Sequence, residues 1–128
     1  MKTMMLAAAL AVLGAAAAAD PLEGVWQTEL DEERYAHVTI SPCATAYCGT
    51  ITQSFDAAGT PVKSDNVGKK IVIDMIPQGD GNYEGSVFRP SNGKTYYGTI
   101  ELSGNKLKLR GCVAGGLICA KQNWARVK

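Results

Sequence analysis

Short stretches of alternating apolar and polar residues, cut at close intervals by Gly, Pro, Asn and Asp, run from residue 24 to residue 127. No helical period interrupts them. Alternation with period two puts successive side chains on opposite faces of a strand, and turn residues at this spacing read as an all-β domain. Eight strands are predicted: Gly24 to Leu30, Tyr35 to Ile40, Cys48 to Phe55, Lys70 to Ile76, Tyr83 to Phe88, Thr95 to Leu102, Lys106 to Arg110 and Cys119 to Val127. The connections are turns by composition, such as Gln78-Gly79-Asp80-Gly81-Asn82 and Ser103-Gly104-Asn105. One connection, Asp56 to Lys69, is longer and reads as structureless.

Eight antiparallel strands with short connections close into an up-and-down barrel, which removes the exposed edges of an open sheet. A two-sheet sandwich is the alternative. In a closed ring with an even strand count, the first and last strands are antiparallel neighbours. Gly24-Val25-Trp26 opens the first, and Trp124-Ala125-Arg126 ends the last. Closure therefore predicts that the Arg126 guanidinium lies over the Trp26 indole, with Gly24 and Trp124 as structural partners. Alternation assigns Val38, Ile40, Ile51, Ile71, Ile73, Tyr96, Ile100, Leu107 and Leu109 to one continuous inner surface. On the strand from Lys70 to Ile76 both faces are largely apolar, so the inward assignment of Ile71 and Ile73 is the less constrained part of that set. An apolar lumen of this kind stays dry and accepts apolar guests. Its mouth is expected opposite the Trp26 end, near the Ser54–Lys69 connection.

The N-terminus has the three parts of an export signal. Lys2 supplies a positive start, Met4 to Leu13 an apolar run, and Ala17-x-Ala19 a small-residue cleavage site. The expected signal peptide is residues 1–19, and residues 20–128 form one domain. After residue 19 no apolar run reaches the ~18 residues of a spanning helix. The expected location is the periplasm, or the medium if secreted. Four cysteines in an exported chain read as two disulfides. Local pairing, Cys43 with Cys48 and Cys112 with Cys119, places each bridge across a turn. A zinc site is the rival reading, with spacing less suited to it. Of 13 Lys and Arg one is Lys2, so the remainder equals the 12 Asp and Glu. A balanced surface argues against nucleic acid and against a polybasic membrane contact.

Residues that could carry chemistry are few. Gly93-Lys94-Thr95 has the ending of a phosphate-binding loop, but Phe88 stands where that loop needs its first Gly, and a strand follows instead of a helix. It reads as a hairpin turn. His37 is the only histidine, so it cannot build a multi-His metal site, although an axial haem ligand needs only one. Its plain reading is an outward residue on a half-exposed strand. No nucleophile, base and orienting group assemble from these residues, and no enzyme, cofactor or metal is expected.

The Gly-x-Trp opening with a late Arg is similar to the signature of lipocalins. A more specific likeness runs through Gly85-Ser86-Val87-Phe88-Arg89-Pro90-Ser91-Asn92-Gly93-Lys94-Thr95-Tyr96, Leu107-Lys108-Leu109-Arg110-Gly111-Cys112 and Gln122-Asn123-Trp124-Ala125-Arg126-Val127. With Gly24-Val25-Trp26, Cys43 and Cys48-Gly49, these resemble the bacterial family catalogued as domain of unknown function 2147. The resemblance implies an exported, lipocalin-like barrel and carries no catalytic residues. The chain departs from the family pattern at Lys63 to Lys70, which is compact here. Two functions follow as expectations: carriage of a small hydrophobic molecule in the lumen, or recognition of another envelope protein by the loops.

Overall fold

The computed structural model describes residues 19–128. The expected export signal lies outside them, apart from its final alanine. The chain forms β1 (Gly24–Gln27), β2 (Arg34–Cys43), β3 (Ala46–Asp56), β4 (Pro61–Val62), β5 (Lys70–Gly79), β6 (Asn82–Arg89), β7 (Lys94–Ser103), β8 (Lys106–Val113) and β9 (Ile118–Arg126), with one 3-10 turn at Ala114–Gly116. Each strand except β4 pairs antiparallel with its sequence neighbour in the ring, and β1 pairs with β9 through Trp26 opposite Arg126 and Gln27 opposite Ala125. The sheet is therefore a closed eight-stranded barrel. The sandwich is excluded.

The predicted eight strands are the eight staves of that ring. The long connection differs from expectation. It contains β4, which pairs with the upper end of β3 through Val62 opposite Ser54. Its far end is tied down where Gly68 N–H donates to the Ile51 carbonyl at 2.8 Å and Ile51 N–H donates to the Lys69 carbonyl at 3.0 Å. Asp56 orders its start by accepting from the N–H groups of Ala58 and Thr60. The carboxylate thus replaces the ladder partner that a loop backbone would otherwise lack.

The lower half of the barrel is filled. Leu22, Trp26, Val38, Val72, Met75 and Leu107 are fully buried, and Ile40 and Ile100 nearly so. Burying side chains of this size stabilises by roughly 1.5–3 kcal/mol each before chain entropy is counted. Gly49 on β3 allows the closest approach, because a Cβ there would sit 2.9 Å from Val38 Cγ1 and 3.0 Å from Val72 Cβ.

β5 corrects the inward set. Register shifts interrupt its pairing with β3 between Gly49 and Thr50, and with β6 between Ile73 and Ile76. The first bulge puts Ile71 and Val72 both into the core, and the second sets Asp74 at φ 50° and restores the inward face at Met75. Ile73 is half-buried, lies opposite Ser86 and is outside the core cluster. The expectation that Ile73 lines the lumen fails for this reason: an extra residue at a bulge breaks the period of two.

Candidate functional site

The two ends of the barrel differ. At the lower end the turn Asp20 to Glu23 crosses beneath the strands and inserts Leu22. Trp26 Nε1–H donates to the Leu22 carbonyl at 3.0 Å. Tyr83 O–H donates to the Asp20 carboxylate, and Tyr47 meets Tyr83 edge to face at 6.3 Å. Burial, reinforced by the bond to Asp20, holds the Tyr83 phenol well above its ordinary range. Arg126 seals the corner. Its guanidinium carbon lies 4.3 Å from the Trp26 ring centroid, Nη1–H donates to the Glu23 carbonyl at 3.1 Å, and Nε–H donates to Asn105 Oδ1 at 3.1 Å.

The upper end is open. Two adjoining cavities of about 470 Å³ each share Glu29, Asp31, Ile71, Arg89, Gln122 and Trp124. The first continues along Val87, Tyr96 and Leu109 to Val113 and Ile118 at the rim. The second extends beneath Ser64 and Asn66 of the long connection, past Ile51 and Ser54. Trp124 forms the floor, 3% exposed, and its Nε1–H donates to Gln122 Oε1 at 2.8 Å, which fixes that amide at the wall.

The rim is charged on a mainly apolar interior. Glu29 accepts from the Asn123 N–H and so joins β1's extension to β9. Arg34 and Arg89 stand at the rim, and neither forms an ion pair among the described residues. Such a cavity suits a molecule with an apolar body and a polar end: the walls exclude water from the body, and the guanidinium groups offer donors to the head.

The residues assigned from sequence separate into two groups. Ile51, Ile71, Tyr96 and Leu109 line the cavities. Val38, Ile40, Ile100 and Leu107 lie in the packed half and line neither of these two cavities. Trp124, expected only as a structural partner, is the floor. Val87, Arg89, Gln122 and Arg34 were missed. Their place follows from which end of each strand rises above the packed half, and alternation alone carries no such information. Gly24 faces the chain end, where Val25 N–H donates to the Lys128 carbonyl at 2.7 Å.

The disulfides pair as expected, Cys43 with Cys48 and Cys112 with Cys119. Asp74 Oδ1 lies 3.6 Å from Cys48 Sγ, and Cys43, Cys48 and Asp74 form a group whose donor atoms fall within 4.8 Å of one another. The sulfurs are bonded to each other, so they offer no thiolate to a metal. His37 sits with Tyr35 and Phe55, 4.5 Å from the Phe55 ring centroid, and burial lowers its pKa. Gly93 lies in the β6–β7 turn at φ 70°, and a strand follows it.

The family model described as "Uncharacterized protein conserved in bacteria (DUF2147)" matches residues 24–126. No curated protein matches the chain significantly in sequence. Among solved structures, the chain is similar to HP1028 from Helicobacter pylori, described as belonging to the lipocalin family. The TM-score is 0.65 at 22% identity, over 84% of this chain and 83% of that one. The similarity is one of fold. Among the described residues, no helix is long and apolar enough to cross a membrane.

Proposed function

We propose that this chain, which belongs to the bacterial DUF2147 family, binds a small, largely apolar molecule in the open half of its lipocalin-like barrel. The observation that carries the reading is the cavity of about 470 Å³ above Trp124, walled by Ile71, Val87, Tyr96 and Leu109. A cavity of this size falls in the range of small-molecule sites, roughly 300–1,000 Å³. Apolar burial supplies the affinity, at ~25 cal/mol per Å² before association costs. Arg34 and Arg89 supply orientation.

The test is uptake of a hydrophobic fluorescent probe. Leu109→Trp projects an indole into the cavity and is expected to abolish uptake while leaving the far-UV spectrum unchanged. The same change at Ile100 would not serve, because Ile100 is 1% exposed in the packed half and a larger ring there overpacks the core. A wild-type chain that takes up no probe, or a Leu109→Trp variant that takes it up equally, defeats the reading. Recognition of an envelope protein by the loops would then be the better account.

We place the protein outside the cytoplasm. Two disulfides and the tripartite N-terminus support this, since exported compartments are where such bridges persist.

A further inference from the structure

Residues 111–120, Gly-Cys-Val-Ala-Gly-Gly-Leu-Ile-Cys-Ala, contain no charged side chain. They form the β8–β9 hairpin, which projects at the open end of the barrel. Gly115 and Gly116 take φ of 69° and 91°, conformations that favour glycine, and the resulting turn presents Leu117 at its tip. Leu117 is 87% exposed, Ile118 64% and Val113 44%, and Leu30 of the adjoining β1–β2 connection is 60% exposed. The Cys112–Cys119 bridge holds the base of this tip. Val113, Ile118 and Leu30 also line the cavity, so one apolar track runs from the tip into the lumen.

Directly beneath the tip the register places Arg110 opposite Lys121. Alternation puts both on the face that carries the disulfide, and Lys121 also reaches the cavity wall. Arg110 meets Glu101 at 3.4 Å, an exposed pair of the kind that exchanges readily for another anion. We propose that the β8–β9 hairpin inserts into an anionic lipid surface, with Arg110 and Lys121 against the phosphates and the β8–β9 side of the cavity mouth against the bilayer. The proposal rests on the cavity being a ligand site, and it identifies the membrane as the place where an apolar molecule enters or leaves. Lys121 lies three residues below Ile118, roughly 10 Å of strand at ~3.3 Å per residue. That matches the ~5–10 Å to which apolar faces sink at a membrane interface. Asp31, Glu32 and Glu33 at the neighbouring loop repel the same surface. The β8–β9 corner therefore leads, and the acidic loop is tilted away.

Flotation of the purified chain with vesicles tests this. The vesicles are phosphatidylcholine alone or phosphatidylcholine with phosphatidylglycerol. The wild type is expected to float with the anionic vesicles and much less with the neutral ones. Leu117→Asp changes only an exposed tip residue, and it is expected to reduce flotation by at least about tenfold. Replacing both Arg110 and Lys121 by Gln is expected to remove the preference for anionic lipid. Leu117 does not line the cavity, so probe uptake from solution should be unchanged in Leu117→Asp. That control separates failure of docking from failure of the ligand site. No flotation of the wild type, equal flotation with neutral vesicles, or equal flotation of Leu117→Asp overturns the proposal. Self-association that Leu117→Asp abolishes, without vesicle binding, would assign the tip to a second copy of the chain and equally overturn it.

Discussion

Arg126 does more than stack. Its guanidinium covers the Trp26 indole and donates to the carbonyls of Glu23 and Pro21 and to Asn105. One side chain therefore joins the last strand, the first strand and the turn that closes the floor. Arg126→Lys keeps the charge but loses the planar fork, and a loss of ~1 kcal/mol is expected from the cation–π contact alone. Arg126→Ala is expected to cost more, because the aliphatic stem is lost and the Glu23 carbonyl is left without its donor. Denaturation midpoints of both variants check this, and unchanged midpoints would contradict it. The Trp26 contact was legible in the sequence because antiparallel closure brings Gly24-Val25-Trp26 beside Trp124-Ala125-Arg126. The carbonyl contacts were not legible. They depend on the Asp20–Glu23 turn, which has no hydrophobic period to reveal it.

At the scale of elements, the strands whose faces differ in polarity were readable and β5 was not. On β7, Tyr96, Gly98, Ile100 and Leu102 alternate with polar or exposed neighbours, and the inward face follows. On β5, Ile71, Val72, Ile73, Met75 and Ile76 are apolar on both sides, so alternation could not detect the register shifts. Val72 and Met75 are the buried residues that this reading lost. β4 was hidden for a different reason: two residues carry no period. The β8–β9 hairpin, by contrast, is defined by its bridge. Replacing Cys112 and Cys119 together by Ser removes a short closed loop, worth ~2–2.5 kcal/mol in the chain-entropy model. The expected result is a lower denaturation midpoint under non-reducing conditions with the barrel still formed. A midpoint equal to that of the wild type would show that the hairpin ladder alone sets the geometry.

The molecule as a whole is half core and half container. Leu22 and the tyrosines plug one end, and charged loops together with the uncharged β8–β9 tip surround the other. The fold class and the closing seam could be read from sequence, whereas the division into filled and open halves could not, because it depends on side-chain volumes summed around the ring. The plug also bears on processing. Asp20 N–H donates to Glu23 Oε2 at 3.2 Å, and the Asp20 carboxylate accepts from Leu22 N–H at 2.8 Å. Cleavage between Ala19 and Asp20 would place a new ammonium beside Glu23 and leave the plug intact. The exported form is therefore expected to begin at Asp20, and intact mass of material recovered from the producing host checks it. Exported material that retains residues 1–19 would show that the segment is not a signal.

The pairing of β1 with β9 also orders events in time. Trp26 meets Arg126 across almost the whole length of the domain. The hairpins from β1 to β8 can form one after another, each by local contact. The ring cannot close until β9 is in place, so β1, already paired with β2, waits with its other edge open and its indole without Arg126 while the rest of the barrel assembles. Long-range closure of this kind is slow, and the interval before it is when the folding chain is most open to a wrong partner.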